Sequence, residues 1–348
     1  MNKTMRTFTK TKPKRPVLSG QLPALGLLAF ADMEAERLER TNRLSLAENY
    51  RCAQMSFRRY LVSRGQLDVP LSDVDCELMT GYQDWLLASG LKKNTTSCYM
   101  RSLQAMFNKA VARDPSLACL SRVHPFATVY TGVYETRRIA VDSCTVKRLH
   151  GLDIRAGLVG LGKRPGTKTF LRQLRELTFA RDTFIFCFCC RGLPFVDFAF
   201  LRRENLQNGY LCYERHKTGQ HIQAELLPLM KAFIAKYATG TPFLFPVLTT
   251  TSARAQHRQY QTALHKYNRQ LRLLSEMMGS SVQLSSYVAR HTWATTAYHE
   301  DIPVAYISEA MGHTSEQTTR KYLKSLGSSK IDQANRKLMD GIFEMSTS

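Results

Sequence analysis

The sequence predicts a mainly α-helical protein with one small antiparallel β-sheet, organised as two domains. Most of its 348 residues repeat apolar side chains at the three- and four-residue spacing of amphipathic helices. One stretch differs: Asn208-Gly209, the dipeptide typical of a hairpin, precedes two short apolar runs that flank a Lys-Thr-Gly turn. Residues 115–137 lack periodicity and contain Pro and Gly, so they are predicted to link the two domains.

Residues 1–30 are predicted to form a flexible basic arm, because residues 1–16 carry basic side chains and no acid. Contact with a DNA backbone and simple solvation both remain open for this arm. The apolar residues 22–31 follow it in the order of a signal peptide, but Pro23 and Gly26 interrupt them, and we expect no export. No stretch is long enough to span a bilayer.

The first domain, residues 31–114, is predicted to be a small all-α bundle. Its first helix is predicted over residues 31–43. The second begins at Ser45, where Ser45 and Glu48 match a capping box, and ends before Gly65. The remaining two are expected from about Ser72 to Gly90 and over 95–112.

The second domain is expected over residues 138–326, with a surface loop at 157–168 before a helix that begins near Phe170 or Thr178. Later helices are expected at 228–237 and 252–278. Ser285 or Ser286 is expected to cap the next helix, and Pro303 to begin the one after it. A capping box at Thr314 and Gln317 would begin the last helix of the domain. Residues 327–348 read as a tail helix after a Gly-Ser-Ser hinge.

The net charge of the chain limits the kinds of partner that we expect it to bind. With 49 basic residues along its length and a formal net charge of +21, it favours a polyanion, with nucleic acid first and an anionic membrane surface second. A generically basic protein remains the alternative. The nine cysteines are scattered and suit a reducing cytoplasm. Cys187, Cys189 and Cys190 lie in an apolar run and are predicted to be buried thiols, because no second metal-ligand pair accompanies them.

The most informative stretch is residues 284–323. It places Arg290 before His, then a Gly312-His313 pair, then Tyr322 nine positions after that histidine, behind Thr-Thr-Arg-Lys. The order and spacing over about forty residues resemble the carboxy-terminal motifs of the tyrosine recombinases, also called phage integrases. The segments SYVARHTWAT and ISEAMGH are similar to integrases of mobile elements from Bacteroidetes-type bacteria.

The resemblance implies a catalytic role for each of these residues. Tyr322 would be the nucleophile, and a tyrosine hydroxyl suits a covalent intermediate because it can also leave later. Arg290 and His313 would hold the scissile phosphate, whose oxygens gain negative charge that an arginine fork can bind. Lys217, in the predicted turn between two strands, matches the lysine that protonates the leaving 5′ oxygen.

Two positions depart from the family pattern. Arg191 is the arginine placed as the family's first catalytic arginine, with Asp197 as its expected acidic support. The acid lies six residues on, where many relatives have it three on, which suggests a local insertion. Tyr287 stands where most relatives have histidine; its phenol can bond to phosphate but is a poor base near neutrality, so the base stays unassigned. His291 is a supporting residue that we expect to pack rather than react.

The family also implies a SAM-like core-binding domain at residues 31–114 that clamps one face of DNA. Six side chains could line that face, although each is also a candidate for an ordinary solvated charge: Arg58, Arg59, Lys92, Lys93, Arg101 and Lys109. The implied partner is double-stranded DNA, bound by a protein that is monomeric in solution and homotetrameric in the synapse. Accessory DNA-bending or excision factors are possible partners, and no membrane, metal or cofactor is expected.

Three functions remain under consideration. A site-specific recombinase, acting at the bacterial nucleoid in the cytoplasm, fits the whole resemblance. A type IB topoisomerase shares the chemistry but relaxes supercoils without pairing two sites. A non-catalytic DNA-binding regulator with the same fold is supported only by the exchange at Tyr287. The tail helix at 327–348 would dock either on its own domain or on a neighbouring protomer.

Overall fold

The computed structural model describes residues 26–113, 124–135 and 139–323, without the side chains of Lys321 and Tyr322. The predicted basic arm up to residue 25 and the tail helix lie outside these residues. The chain divides into two compact units, Met1–Glu135 and Thr136–Ser348. None of the described helices is both long enough and apolar enough to cross a membrane.

Unit 1 is a bundle of four α-helices, as the periodicity predicts. They are α1 (Leu27–Arg40), α2 (Leu44–Ser63), α3 (Cys76–Ala88) and α4 (Lys93–Arg113). Its core contains a cluster of aromatic side chains: the rings of Phe57 and Tyr82, both fully buried, meet edge to face with centroids 5.0 Å apart. Edge-to-face packing of this kind adds to the stabilisation from burial alone.

The starts of several helices in unit 1 differ from the prediction. α1 begins at Leu27 rather than at residue 31, so the end of the predicted flexible arm is helical, and Leu27, Leu28 and Phe30 are buried in the core. The capping box at Ser45 does not form, because α2 begins one residue earlier, at Leu44, and its N-cap position is Arg43. Ser72 lies in a short 3-10 turn before α3. That helix is capped instead by Asp75, whose carboxylate accepts a hydrogen bond of 2.8 Å from the Leu78 amide.

The described part of the predicted linker, residues 124–135, packs on unit 1. Phe126 and Val129 are buried in its core. The Asn94 side chain makes two hydrogen bonds to the backbone of Tyr134, one at each of its polar atoms. An irregular segment satisfied by side-chain amides has no hydrophobic period, so the sequence gives no signal for this packing.

Unit 2 surrounds the long helix α7 (Lys168–Cys189). Two short helices precede it, α5 (Ser143–His150) and α6 (Ile154–Gly160), and α8 (Phe195–Phe200) follows. A three-stranded antiparallel sheet comes next, in the order β1-β2-β3, formed by β1 (Leu206–Gln207), β2 (Tyr210–Glu214) and β3 (His221–Glu225). The remaining helices are α9 (Pro228–Lys236), α10 (Ala253–Met277), α11 (Val288–His299), α12 (Val304–Ala310) and α13 (Glu316–Leu323).

Fold class and hairpin agree with the sequence, and the differences are again at helix ends. The first residues of the predicted 157–168 loop belong to α6, and α7 begins after Thr167, which caps it. The N-cap position of α11 is Tyr287, with no side-chain cap, rather than a serine. At α13, the Gln317 amide donates to the Ser315 hydroxyl at 3.2 Å, so the expected Thr314 capping box is replaced.

The cysteine run lies in the core of unit 2. Cys187 and Cys190 are buried, and Cys189 is half-buried. Burial raises the pKa of the Cys190 thiol to about 12, because the thiolate would lose its hydration. The prediction of buried thiols is therefore confirmed for the outer two. Within the described ranges, no three His, Cys, Asp or Glu side chains gather into a group that could hold a metal ion.

Candidate active site

Arg290, on α11, is the centre of the site. Its side chain is only 2% exposed, yet its guanidinium reaches two other segments. Nη1 donates to the Gly192 carbonyl at 2.9 Å, and Nη2 donates to the Met311 carbonyl at 2.7 Å. Nη2 also lies 2.8 Å from Nε2 of His313. One planar cation thus joins the end of α7, the end of α12 and the histidine that follows it.

Arg191 and Gly192 form a sharp turn after α7. Both have left-handed backbone conformations, with φ of 55° and 72°. A Cβ at Gly192 would lie 2.8 Å from the Cα of Arg290, so only glycine permits this approach. Residues other than glycine rarely adopt this conformation, so the backbone at Arg191 is strained. Strained positions of this kind cluster at functional sites.

The Arg191 side chain is half-buried and opens into a cleft of about 760 Å³. Trp293 of α11, Tyr306 of α12 and Gln223 of β3 are among its walls. The structure therefore brings the backbone of Gly192 onto Arg290, and the preceding residue, Arg191, lines the adjacent cleft. A second hollow, of about 440 Å³, is lined by His313 and shares His221 and Glu309 with the first. The two hollows follow the same seam between β3 and α12.

His313 lies just beyond the end of α12, as the Gly-His pair predicts. Gly312 has φ of 64°, and His313 Nδ1 lies 2.7 Å from the hydroxyl of Thr319 on α13. A guanidinium nitrogen can only donate, so Nε2 of His313 accepts from Arg290. It follows that Nδ1 carries the hydrogen of a neutral ring and donates it to Thr319.

Lys217 is exposed at the tip of the turn between β2 and β3. The carbonyl of Arg215 accepts hydrogen bonds from the amides of Thr218 and Gly219, at 3.3 and 2.8 Å. The Thr218 hydroxyl donates to the Gly312 carbonyl at 3.2 Å. The structure thus attaches the turn that carries Lys217 to the turn that carries His313.

Asp197 supports a different arginine from the one expected. It is buried in α8, where one of its carboxylate oxygens accepts a hydrogen bond of 2.8 Å from the His216 amide. The other carboxylate oxygen lies 3.3 Å from Nε of Arg215. Among the described contacts, none joins Asp197 to Arg191. Burial raises the pKa of Asp197, outweighing the His216 amide and the Arg215 charge, which lower it.

Sequence reasoning missed Arg215. It directly follows β2 and stands two residues before Lys217, and it is only 6% exposed. A cation at the foot of a hairpin is normally solvated. The available signal was the isolated acid, Asp197, in an otherwise apolar helix, because a buried carboxylate needs a cationic partner.

Tyr287 and His291 flank Arg290 on the chain. Tyr287 is 58% exposed at the start of α11, one turn before Arg290. His291 is half-buried, and its ring centroid lies 6.1 Å from that of Tyr287. Their expected roles stay predictions.

Tyr322 lies in α13, and its side chain is outside the described residues. Thr319, fully buried one turn before it, holds the His313 ring. The helix of the expected nucleophile is therefore attached directly to His313, the residue expected to bind phosphate.

The six candidate DNA contacts of unit 1 differ in environment. Arg59, Lys92 and Arg101 are exposed, Arg58 lies 3.5 Å from Asp32, and Lys93 stands over the Tyr134 ring. Lys109 is instead bound 2.6 Å from the buried Glu34.

Glu34 has three cationic partners in unit 1. Besides Lys109, its carboxylate binds Arg37 and Arg113 at 2.7 and 2.9 Å. The hydrogen bond from Arg37 and the charge of Lys109 lower the pKa of Glu34 to about 2. Lys109 therefore has a structural partner that the sequence did not reveal.

Two family models match the chain. The phage integrase SAM-like domain matches residues 26–116, and the phage integrase family matches residues 205–328. Together they cover more than half of the chain, and the second includes Lys217, Arg290, His313 and Tyr322. It begins after Arg191 and Asp197, so it does not include either residue, and the role of Arg191 stays a prediction. No curated protein is similar enough in sequence to match the chain.

Solved structures share the fold at low identity. A lambda integrase dimer bound to a COC′ core site has a TM-score of 0.55 at 16% identity, covering 85% of this chain and 77% of the other. A lambda integrase tetramer bound to a Holliday junction has a TM-score of 0.57 at 15% identity, with 86% and 78% covered. The Tn1549 transposon integrase with transposon right-end DNA has a TM-score of 0.52 at 14% identity, with 90% and 98% covered.

A helical SAM-like domain followed by a mixed catalytic domain is the architecture of the integrases. The chain belongs to the phage integrase family, the tyrosine recombinases.

Proposed function

We propose that this protein is a site-specific DNA recombinase that cuts and rejoins strands through a 3′-phosphotyrosyl intermediate. The observation that supports it most is the Arg290 guanidinium, held between the Gly192 and Met311 carbonyls and beside His313. That cation adjoins the helix that carries Tyr322 through the Thr319–His313 hydrogen bond. A cation held next to the helix that carries the nucleophile suits the charge stabilisation that phosphoryl transfer needs.

The proposed cleavage assigns one task to each group. The Tyr322 oxygen attacks phosphorus and loses its proton to water, while the bond from phosphorus to the 5′ oxygen breaks. Lys217 gives a proton to that departing oxygen. Arg191, Arg290 and His313 bind the non-bridging oxygens, and Tyr287 adds a hydrogen bond from the rim.

Rejoining reverses these steps. The 5′ hydroxyl of a partner strand attacks the phosphotyrosine, its proton returns to Lys217, and Tyr322 leaves. The bond energy of the original phosphodiester is conserved in the covalent intermediate, so the reaction is balanced without a nucleotide. Two rounds, one for each pair of strands, exchange both strands through a four-way junction.

Charge and the known relatives support the proposed partners. A net charge of +21 favours double-stranded DNA, and the similar lambda structures include a dimer on DNA and a tetramer on a Holliday junction. We propose a monomer in solution and a homotetramer in the synapse, aided by accessory DNA-bending or excision factors. Such an enzyme would act at the nucleoid.

The test is capture of the intermediate on the DNA that flanks its own gene. A nick just 3′ of the scissile phosphate lets the short cleaved fragment diffuse away and accumulates the adduct. The wild-type protein should give a denaturant-resistant protein–DNA band, and Tyr322→Phe should give none while binding DNA within a few fold. The matched control is Tyr298→Phe, which removes a tyrosine hydroxyl from α11 instead; this variant should retain the band.

Two outcomes would contradict the proposal. Normal capture by Tyr322→Phe would exclude this nucleophile. Relaxation of supercoiled plasmids without any paired site would instead favour a type IB topoisomerase.

A further inference from the structure

Arg215 is a buried cation for which the proposed reaction has no role. It follows β2 and is 6% exposed, with Nε 3.3 Å from the buried carboxylate of Asp197. The same carboxylate accepts from the amide of His216, the next residue. Asp197 therefore holds two consecutive residues at the start of the Lys217 turn.

The backbone of Arg215 also closes that turn. Its amide donates to the Gln220 carbonyl at 2.8 Å, and its carbonyl accepts from the Gly219 amide at 2.8 Å. Lys217 is therefore carried on a short loop whose two ends meet at one residue. A shift of Arg215 would move the lysine with it.

The stem of the same side chain packs against the His313 turn. A Cβ added to Gly312 would lie 2.9 Å from Cγ of Arg215, so the two are in close contact. Thr218 donates to the Gly312 carbonyl. The side-chain amide of Gln220 is oriented so that its nitrogen faces this turn. That nitrogen donates to the Gly312 carbonyl at 3.0 Å and to the His313 carbonyl at 3.3 Å. Arg215 therefore lies between the proposed acid and the proposed phosphate ligand.

The energetics argue against a purely stabilising pair. Nε and Nη1 of Arg215 and Oδ2 of Asp197 are buried and make no hydrogen bond to the residues that the structure describes, so the contact at 3.3 Å is an ion pair without a hydrogen bond. Desolvating both charges offsets much of the attraction, and buried ion pairs are often no more stable than apolar replacements. Because the ion pair of Arg215 with Asp197 gains little stability, its place between the Lys217 turn and the His313 turn is better explained by the position of Arg215 that it fixes.

We propose that Arg215, held by Asp197, is a positioning residue that sets Lys217 relative to His313, so that proton donor and phosphate ligand keep one geometry. This inference rests on the proposed role of Lys217. It predicts that loss of Arg215 impairs protonation of the leaving group while leaving phosphate binding intact.

The experiment compares two leaving groups on the nicked duplex: the natural 5′ oxygen, and a bridging 5′ sulfur at the scissile position. A thiolate leaves without a proton because thiols are far more acidic than alcohols. Arg215→Met keeps the stem and removes the charge. We expect its single-turnover rate on the oxygen substrate to fall on the order of 100-fold, as for loss of a general acid. Its rate on the sulfur substrate should stay within about threefold, as expected from the same argument.

The controls separate positioning from folding. Lys217→Ala should show the same selective loss, and Asp197→Asn should resemble Arg215→Met. Thr319→Val, which acts through His313, should impair both substrates about equally. If Arg215→Met does not fold, Arg215→Lys takes its place in the comparison of the two substrates, because lysine keeps the positive charge without the planar fork.

Equal losses on both substrates, or no loss on either, would overturn the role of Arg215. Absence of adduct from the wild-type protein on both substrates would instead overturn the proposed function itself.

Discussion

Nη2 of Arg290 lies 2.8 Å from Nε2 of His313, and this contact fixes the histidine tautomer. The ring accepts from the arginine and donates through Nδ1 to Thr319, 2.7 Å away. A phosphate oxygen placed between the two groups would need a hydrogen on Nε2 instead. DNA binding is therefore expected to switch or protonate the ring, and the Thr319 hydroxyl can serve either state because it both donates and accepts.

Thr319→Val should lower the single-turnover cleavage rate about tenfold with little change in DNA affinity, since partners that orient a reactive histidine typically contribute this much. Nitrogen NMR of the ring should show hydrogen on Nδ1 in the unbound wild-type protein. The exposed neighbour Thr318 provides the control, and Thr318→Val should behave as wild type. Hydrogen on Nε2 in the unbound protein would contradict this account of the site.

Gly192→Ala should abolish cleavage and destabilise the protein by several kcal/mol. Its φ of 72° alone costs alanine about 1–2 kcal/mol, and the added Cβ would meet Arg290 Cα at 2.8 Å. Gly209→Ala is the matched control: its φ is 82°, with nothing within 4 Å of the new Cβ. Thermal unfolding should show a small decrease for Gly209 and a much larger one for Gly192, and equal decreases would refute the close approach.

Glu34 should make unit 1 sensitive to acid. Its pKa falls from 4.5 to about 2 on folding, so the ionised carboxylate stabilises the fold above about pH 4.5. That contribution, about 3 kcal/mol by the size of the shift, is lost as the pH falls towards 2. Urea unfolding of Glu34→Gln should show reduced stability at pH 7 and a flatter pH dependence below 4.5.

The control for Glu34 is the exposed pair of Asp32 with Arg58. Asp32→Asn should change stability by less than about 1 kcal/mol, as is usual for surface ion pairs. A pH profile of Glu34→Gln that parallels wild type would show that the buried carboxylate is not the group responsible.

DNA affinity should fall steeply with salt, because many phosphates are neutralised by a chain of net charge +21. Arg101→Gln, at an exposed position of α4, should reduce the slope of log affinity against log salt by about one. Lys109→Gln should act mainly on stability, through Glu34. A flat salt response in wild type would contradict the electrostatic argument.

Local pattern predicted the elements and much of the site. The helical period located the helices of unit 1 and α10, Asn208-Gly209 located the hairpin, and the spacing of Arg290, His313 and Tyr322 indicated the family. These signals are local in sequence. They specify an element or a motif wherever it lies in the fold.

What remained hidden depends on segments that are distant along the chain. Arg290 bonds to Gly192 across 98 positions, and Lys109 to Glu34 across 75. Asp197 was assigned to Arg191 because the family pattern places an acid shortly after its first arginine, whereas folding brings Arg215 to it. Helix ends such as Tyr287 likewise follow from tertiary contacts rather than from capping propensity.

The central claim is tested most directly by identifying the residue that carries DNA in the trapped adduct. Nuclease digestion of the adduct, followed by protease cleavage and mass spectrometry, should find one nucleotide attached through its 3′ phosphate to Tyr322. A nucleotide on any other side chain, or attachment through a 5′ phosphate, would contradict the account.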